Sequence, residues 1–175
     1  MAEATAIFAQ RSPSLSAAAA ARMMALLLPM ALLGGALGSQ YLGGLHPCEM
    51  CYWQRWPHGA AILLALSAFT MPAASRNARV LTFLAALAIA VSGAIGVYHA
   101  GVEAKIFEGF TQCTATVTPG LSTAELLKQL TQAPLVRCDE VQFRFLGISM
   151  AGWNAILSLG GAALIMTLLL KARRA

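Results

Sequence analysis

The sequence predicts an all-α membrane protein of four antiparallel transmembrane helices, with a short and a long loop on the outer side. Three observations predict it. The 175-residue chain is 58% hydrophobic and only 11% charged, too apolar for an ordinary soluble domain. Four uncharged stretches, residues 23–47, 56–75, 80–101 and 145–170, have the length a bilayer requires, roughly 20 residues. None of them carries charges at helical spacing, as the outer face of a soluble bundle would. Lysine and arginine, finally, alternate from one side of these stretches to the other.

The N-terminal segment holds Arg11 and Arg22 against Glu3. The link between the second and third stretches holds Arg76 and Arg79, and the C-terminus holds Lys171, Arg173 and Arg174. That side sums to +6, whereas the other side, with a neutral first loop and an acidic second one, sums to −1. Basic segments stay in the cytoplasm, so both termini are expected there. The net charge of +5 thus reflects topology and gives no reason to expect a nucleic-acid partner.

Taken in order, residues 1–21 are Ala/Ser-rich and read as a disordered cytoplasmic tail. Residues 22–171 read as one domain with spans at about 23–44, 56–74, 80–98 and 148–170, and outer loops at about 45–55 and 99–147. The first span exceeds the roughly 7–15 apolar residues of a signal peptide and is read as retained. Pro29 inside it predicts a kink. Gly34, Gly35, Gly38, Gly93 and Gly96 are read as close-packing positions. Pro72 opens the tight inner turn. In the long outer loop, Ser122 and Glu125 have capping-box spacing ahead of Leu126, Leu127 and Leu130. This predicts a short amphipathic helix, on the membrane surface or against the outer ends of the spans, closed by Pro134. No segment stands out as a dedicated oligomer interface, and a monomer is expected.

All four cysteines, Cys48, Cys51, Cys113 and Cys138, fall on the outer side. An even number confined to the oxidising side points to disulfide chemistry. Cys48 and Cys51 form a CxxC at the edge of a span, within reach both of proteins in water and of a carrier dissolved in lipid. Arg55 follows Cys51 by one helical turn. A permanently charged guanidinium there would favour a thiolate, whereas the plain alternative is an interfacial anchor beside Trp53 and Trp56. Cys113 and Cys138 close a long polar loop. They read as a staple worth roughly 3 kcal/mol or as an exposed disulfide suited to exchange. His46 and His99 lie on the same side, so a Cys/His metal-binding or transport protein is a competing reading.

The order of four spans, CxxC and then Arg55 in the first outer loop, and a spaced cysteine pair in the second, followed by Phe145-Leu146-Gly147-Ile148-Ser149-Met150 and Trp153, resembles the bacterial inner-membrane DsbB family. The resemblance covers about residues 23–170. It implies a protein-dithiol:quinone oxidoreductase of the bacterial inner membrane, with all four cysteines periplasmic. The DsbA–DsbB–quinone chain is the known means of keeping the periplasm oxidising. The implied partner is a DsbA-like thioredoxin-fold protein, and the implied cofactor is ubiquinone or menaquinone from the membrane pool. On the same resemblance, Cys113 takes the mixed disulfide with the partner and Cys138 passes electrons to Cys48. Cys51 is the thiolate next to the quinone, assisted by Arg55, and His99 lies near the quinone. The vitamin K epoxide reductase family also combines a CxxC with a loop cysteine pair. There, however, the CxxC comes near the end of the helical order, whereas here it follows the first span.

Overall fold

The computed structural model describes residues 13–109, 122–124 and 136–174. Within them lie four long helices: α1 (Pro13–Tyr41), α2 (Glu49–Phe69), α3 (Arg76–Glu103) and α4 (Met150–Arg174). Two short strands, β1 (Arg144–Phe145) and β2 (Ile148–Ser149), precede α4. The helices form a ring in which α3 packs broadly on α2 and α4, and α1 closes the circle against α4 and α2. The diagonal pairs touch least, α2 and α4 even less than α1 and α3.

The interior is lined by small side chains. Ala21, Ala25, Ala61, Ala65, Ala85, Ala86 and Ala162 are buried together around Ile89, Ile165 and Leu169. The large side chains point outward, with Leu27, Leu63, Leu87, Val91, Ile156 and Leu164 all exposed. A water-soluble bundle would bury its leucines and expose charge. Small residues within and large apolar ones without is the arrangement of helices packed in lipid. Accordingly α1, α3 and α4 are each long and apolar enough to cross a membrane, and the chain is a helical membrane protein.

Helix α2 differs. It starts seven residues before the expected span at 56–74 and ends at Phe69. Its first turns carry Glu49, Gln54, Arg55 and His58, and it is not among the helices apolar enough to span by themselves. The early start has a local cause: Cys48 is the N-cap, and its sulfur accepts from the Cys51 N–H. Helix α1 also starts early, at Pro13, inside the stretch read as a tail. Proline suits the first helical turn, and Ala17–Ala21 are the strongest helix formers. Ala17 and Ala18 pack against Ala172, with Ala73 alongside. Pro29 lies within α1 as expected. Nearly all of the helix expected after Ser122 falls outside the described residues.

The close approach of α3 and α4 depends on glycine. A Cβ on Gly96 would meet the Ala151 carbonyl oxygen and the Ala155 nitrogen, both at 3.0 Å. Both are backbone atoms of α4, which cannot swing aside. Gly96→Ala should therefore cost about 1–3 kcal/mol from overpacking, more than the 0.5–1 kcal/mol or so gained in helix propensity. A lower thermal unfolding midpoint in detergent would show this; an unchanged midpoint would mean the contact relaxes freely.

The two ends of the ring differ in charge. Arg22 donates to the Ala68 and Met71 carbonyls at 3.0 and 2.9 Å and lies over the Phe69 ring, closing the C-terminal end of α2. Arg76, Arg79 and Arg173 line a groove between α3 and α4 near the same end. The thiols gather at the opposite end.

Candidate functional site

Cys48 is buried in the turn that opens α2, and Cys51, one turn on, is half-buried. Their sulfurs are 2.8 Å apart. Cys138 is brought from the far end of the chain, 4% exposed, into one cluster with Cys48, Met50 and Val102. The segment that carries Cys138 is pinned at several points. Arg137 and Lys105 both bind the Asp139 carboxylate, and together they hold that carboxyl well below the usual carboxylate range. Gln142 donates to the His46 carbonyl at 2.6 Å, tying the second outer segment to the first. Just beyond, Leu146 and Gly147 have φ of +51° and +81°. Positive φ at both central residues makes the two-residue turn that joins β1 to β2. Trp153 on α4 donates to the Phe145 carbonyl at 2.9 Å, so the Phe145–Met150 motif forms a hairpin fastened to the top of α4.

His99, near the end of α3, points Nε2 at the Cys48 sulfur from 3.6 Å. It faces the Cys48–Cys138 contact, a more specific placement than sequence allowed. Ligand atoms of Cys48, His99 and Cys138 all lie within 4.8 Å of one another. Glu103, one turn further on, is 3.9 Å from the same ring. Arg55 reaches across to α1, where it donates to the Gln40 side chain and the Ala36 carbonyl, and it stacks near the Tyr52 ring. Cys113 lies outside the described residues.

The two vicinal thiols are unequal. Hydrogen bonding with Cys138 and then with Cys51, together with burial, pushes the Cys48 thiol far up. Cys51 is brought down, first by the hydrogen bond from Cys48 and, more weakly, by the positive charge of Arg55. Of the two, Cys51 is therefore the sulfur whose surroundings favour a negative charge.

One space adjoins these sulfurs, and a second lies next to the first. A pocket of about 100 Å³ is lined by Cys48, Cys51, Arg55, His99 and Glu103 among others. A larger apolar groove of about 530 Å³ lies between α1 and α4, walled by Gly35, Ala36, Met150 and Trp153. Ser39, Leu45, Phe143 and Met150 border both.

Sequence reasoning overlooked Gln54, His58, Ser92 and Asn154, which hydrogen-bond to one another behind the thiols. Their signal was available, since polar side chains inside apolar segments are costly and tend to serve function.

The chain matches the family described as Disulfide bond formation protein DsbB over residues 18–168. It is 33% identical over 146 residues to Disulfide bond formation protein B of Methylococcus capsulatus, covering 79% of this chain and 85% of that protein. It is 30% identical over 150 residues to Disulfide bond formation protein B of an Azoarcus species, covering 82% and 87%. The namesake from Xanthomonas oryzae pv. oryzae is 27% identical over 147 residues, covering 82% and 85%. No solved structure matches the chain.

Proposed function

Because this chain belongs to the DsbB family of disulfide bond formation proteins, we propose that it is the membrane thiol:quinone oxidoreductase of a disulfide-forming system. It reoxidises a periplasmic DsbA-like thioredoxin-fold dithiol and delivers the electrons to membrane quinone. The observation that carries this reading is the meeting of Cys138 with Cys48 beside an unequal Cys48/Cys51 pair. An exchange relay needs such a junction between a water-facing loop and a thiol at the membrane edge.

The residues then act in sequence. A thiolate of the partner attacks Cys113 in a Cys113–Cys138 disulfide, and Cys138 leaves as thiolate. Cys138 attacks Cys48, forming the Cys48–Cys138 bond and breaking Cys48–Cys51, so that the electron pair leaves on Cys51. The second partner thiol displaces Cys113 and completes the partner's disulfide. Cys113 thiolate then recovers the bond to Cys138, which returns an electron pair to Cys48. The reduced pair now holds two electrons, with the negative charge on Cys51 beside Arg55.

The residues present fit a quinone. The groove between α1 and α4 offers a wall of small residues at Gly35 and Ala36, and the Trp153 side chain opposite. Arg55 is anchored on that wall through the Ala36 carbonyl at 3.2 Å. A bound quinone supplies a two-electron, two-proton acceptor; it carries the redox chemistry, and the protein supplies position and electrostatics. Restoring the Cys48–Cys51 disulfide completes the cycle.

With α2 shielded by its neighbours, the ring reads as four spans. The arginine-rich end faces the cytoplasm, and both termini are there. A membrane-impermeant maleimide should label the reduced cysteines from the outside of intact spheroplasts; labelling only after lysis would reverse this orientation. Purified protein given a reduced thioredoxin-fold partner should reduce added quinone. Replacing Cys113 or Cys138 with Ser should abolish electron flow from the partner. No quinone reduction by the unsubstituted protein would overturn the reading.

A further inference from the structure

The polar side chains behind the thiols form a hydrogen-bonded row with a definite direction. Three backbone carbonyls, which only accept, fix that direction. Ser92 Oγ donates to the Gln54 carbonyl at 2.8 Å, Gln54 Nε2 to the Met50 carbonyl at 3.2 Å, and Asn154 Nδ2 to the Ser92 carbonyl at 3.1 Å. With its amide so turned, Asn154 Nδ2 also donates to Gln54 Oε1 at 2.8 Å. Its Oδ1 accepts from Ser158 Oγ and His58 Nε2, both at 2.9 Å. The buried His58 Nδ1 is left without a partner, as expected of a ring whose hydrogen is on Nε2. Gln54 then has one N–H left, and it faces His99 Nδ1 at 2.8 Å. A donor against Nδ1 requires a lone pair there, so the hydrogen of the neutral His99 ring belongs on Nε2. Nε2 faces the Cys48 sulfur, which in turn faces Cys51.

We propose that Gln54, oriented by Asn154, is a positioning residue that locks His99 in the Nε2–H tautomer, so that donors point one way from Asn154 through Gln54, His99 and Cys48 to Cys51. The role in turnover rests on the function proposed above; the tautomer does not. His99 is then a hydrogen-bond donor to sulfur and not a base. The opposite tautomer would offer Cys48 a lone pair, draw its hydrogen, and move the charge away from the sulfur beside Arg55. The lock has a second effect. Cys48, Cys138 and His99 are spaced to take a thiophilic cation such as Zn²⁺ once reduced, and two cysteines with one histidine are a known zinc set. Ligation needs a lone pair on Nε2, and the Gln54 amide withholds it.

Gln54→Glu tests both effects. A carboxylate accepts from Nδ1–H, which reverses the ring and frees Nε2, and such a carboxylate–histidine pair is what metal sites use to raise ligand strength. In reduced, ¹⁵N-histidine-labelled full-length protein in nanodiscs, long-range ¹H–¹⁵N spectra should show His99 as Nε2–H. Gln54→Glu should convert it to Nδ1–H or the imidazolium. Zinc affinity of the reduced variant, read by competition with a chromophoric chelator, should rise about 10–100-fold. Asn154→Ala, which leaves Gln54 in place but unanchored, should populate both tautomers. An unsubstituted His99 found as Nδ1–H overturns the proposal directly, as does an Asn154→Ala spectrum identical to the parent's. Absence of quinone reduction by the unsubstituted protein would overturn the proposed function and leave the tautomer assignment standing.

Discussion

Cys51→Ser is expected to reduce quinone-coupled turnover by at least about a thousandfold, the scale on which enzymes lose activity when their nucleophile is removed. Cys48 cannot substitute for it. Cys48 is buried, its thiol is pushed up by hydrogen bonding with Cys138 and Cys51, and it lies at the junction with Cys138. The variant should nevertheless accept one round of exchange, because Cys48 and Cys138 remain in contact. Before any partner is added, exchange of Cys48 with the Cys113–Cys138 disulfide releases Cys113 as thiolate, so the variant should accumulate a Cys48–Cys138 crosslink, visible by non-reducing peptide mass spectrometry. Full turnover would remove Cys51 from the electron path. Absence of the crosslink, with turnover lost, would instead break the proposed relay between the loops.

Arg55→Met should lower kcat/KM for quinone by about 10–100-fold, equivalent to losing a hydrogen bond to a charged group worth roughly 1.5–3 kcal/mol. Methionine retains most of the length and apolar volume, so the loss isolates the guanidinium. The sign of the accompanying pH effect is fixed. Arg55 helps to depress the Cys51 thiol, behind the larger contribution of the Cys48 hydrogen bond. Without Arg55 that thiol rises, and a higher pH is needed for the same thiolate fraction. The iodoacetamide reaction of Cys51 should accordingly shift its midpoint upward. Arg55→Lys separates charge from geometry: it keeps the positive charge but loses the two-point hold on Gln40 and Ala36. A Lys variant with normal quinone dependence would show that charge alone suffices. A Met variant with normal dependence and an unmoved midpoint would return Arg55 to the role of a membrane anchor.

Much of this arrangement was legible from the sequence because it depends on composition and on local spacing. Apolar runs located α1, α3 and α4, and the arginines told one end from the other. The CxxC and Arg55 were visible as neighbours one turn apart. Contacts made only by packing were not legible. His58 and Asn154 lie 96 residues apart and meet because α2 and α4 both flank α3. The three-carbonyl anchoring of Gln54, Ser92 and Asn154 requires the register of three helices at once. The start of α2 was misplaced because Cys48 serves both as helix cap and as thiol, and a hydropathy window sees neither. The resemblance placed His99 near the quinone, but that its ring faces Cys48 was not legible, since a histidine at a helix end reveals its direction only when the neighbouring helix is in place.

Helix α2 bears a consequence for how the protein is made. Its polar first turns, with Arg55, Gln54 and His58, leave an apolar run of only about ten residues, shorter than the ~20 that partition into lipid unaided. As it emerges from the ribosome it has no partners for those groups other than α1, whose Gln40 and Ala36 receive Arg55. The partners of Gln54 and His58 on α3 and α4 are synthesised later. The segment that carries the chemistry is thus the one least able to enter the membrane by itself, and it must wait at the translocon or insert together with its neighbours. Substitutions at Ser92 or Asn154 are therefore expected to reduce the amount of protein in the membrane as well as its rate per molecule.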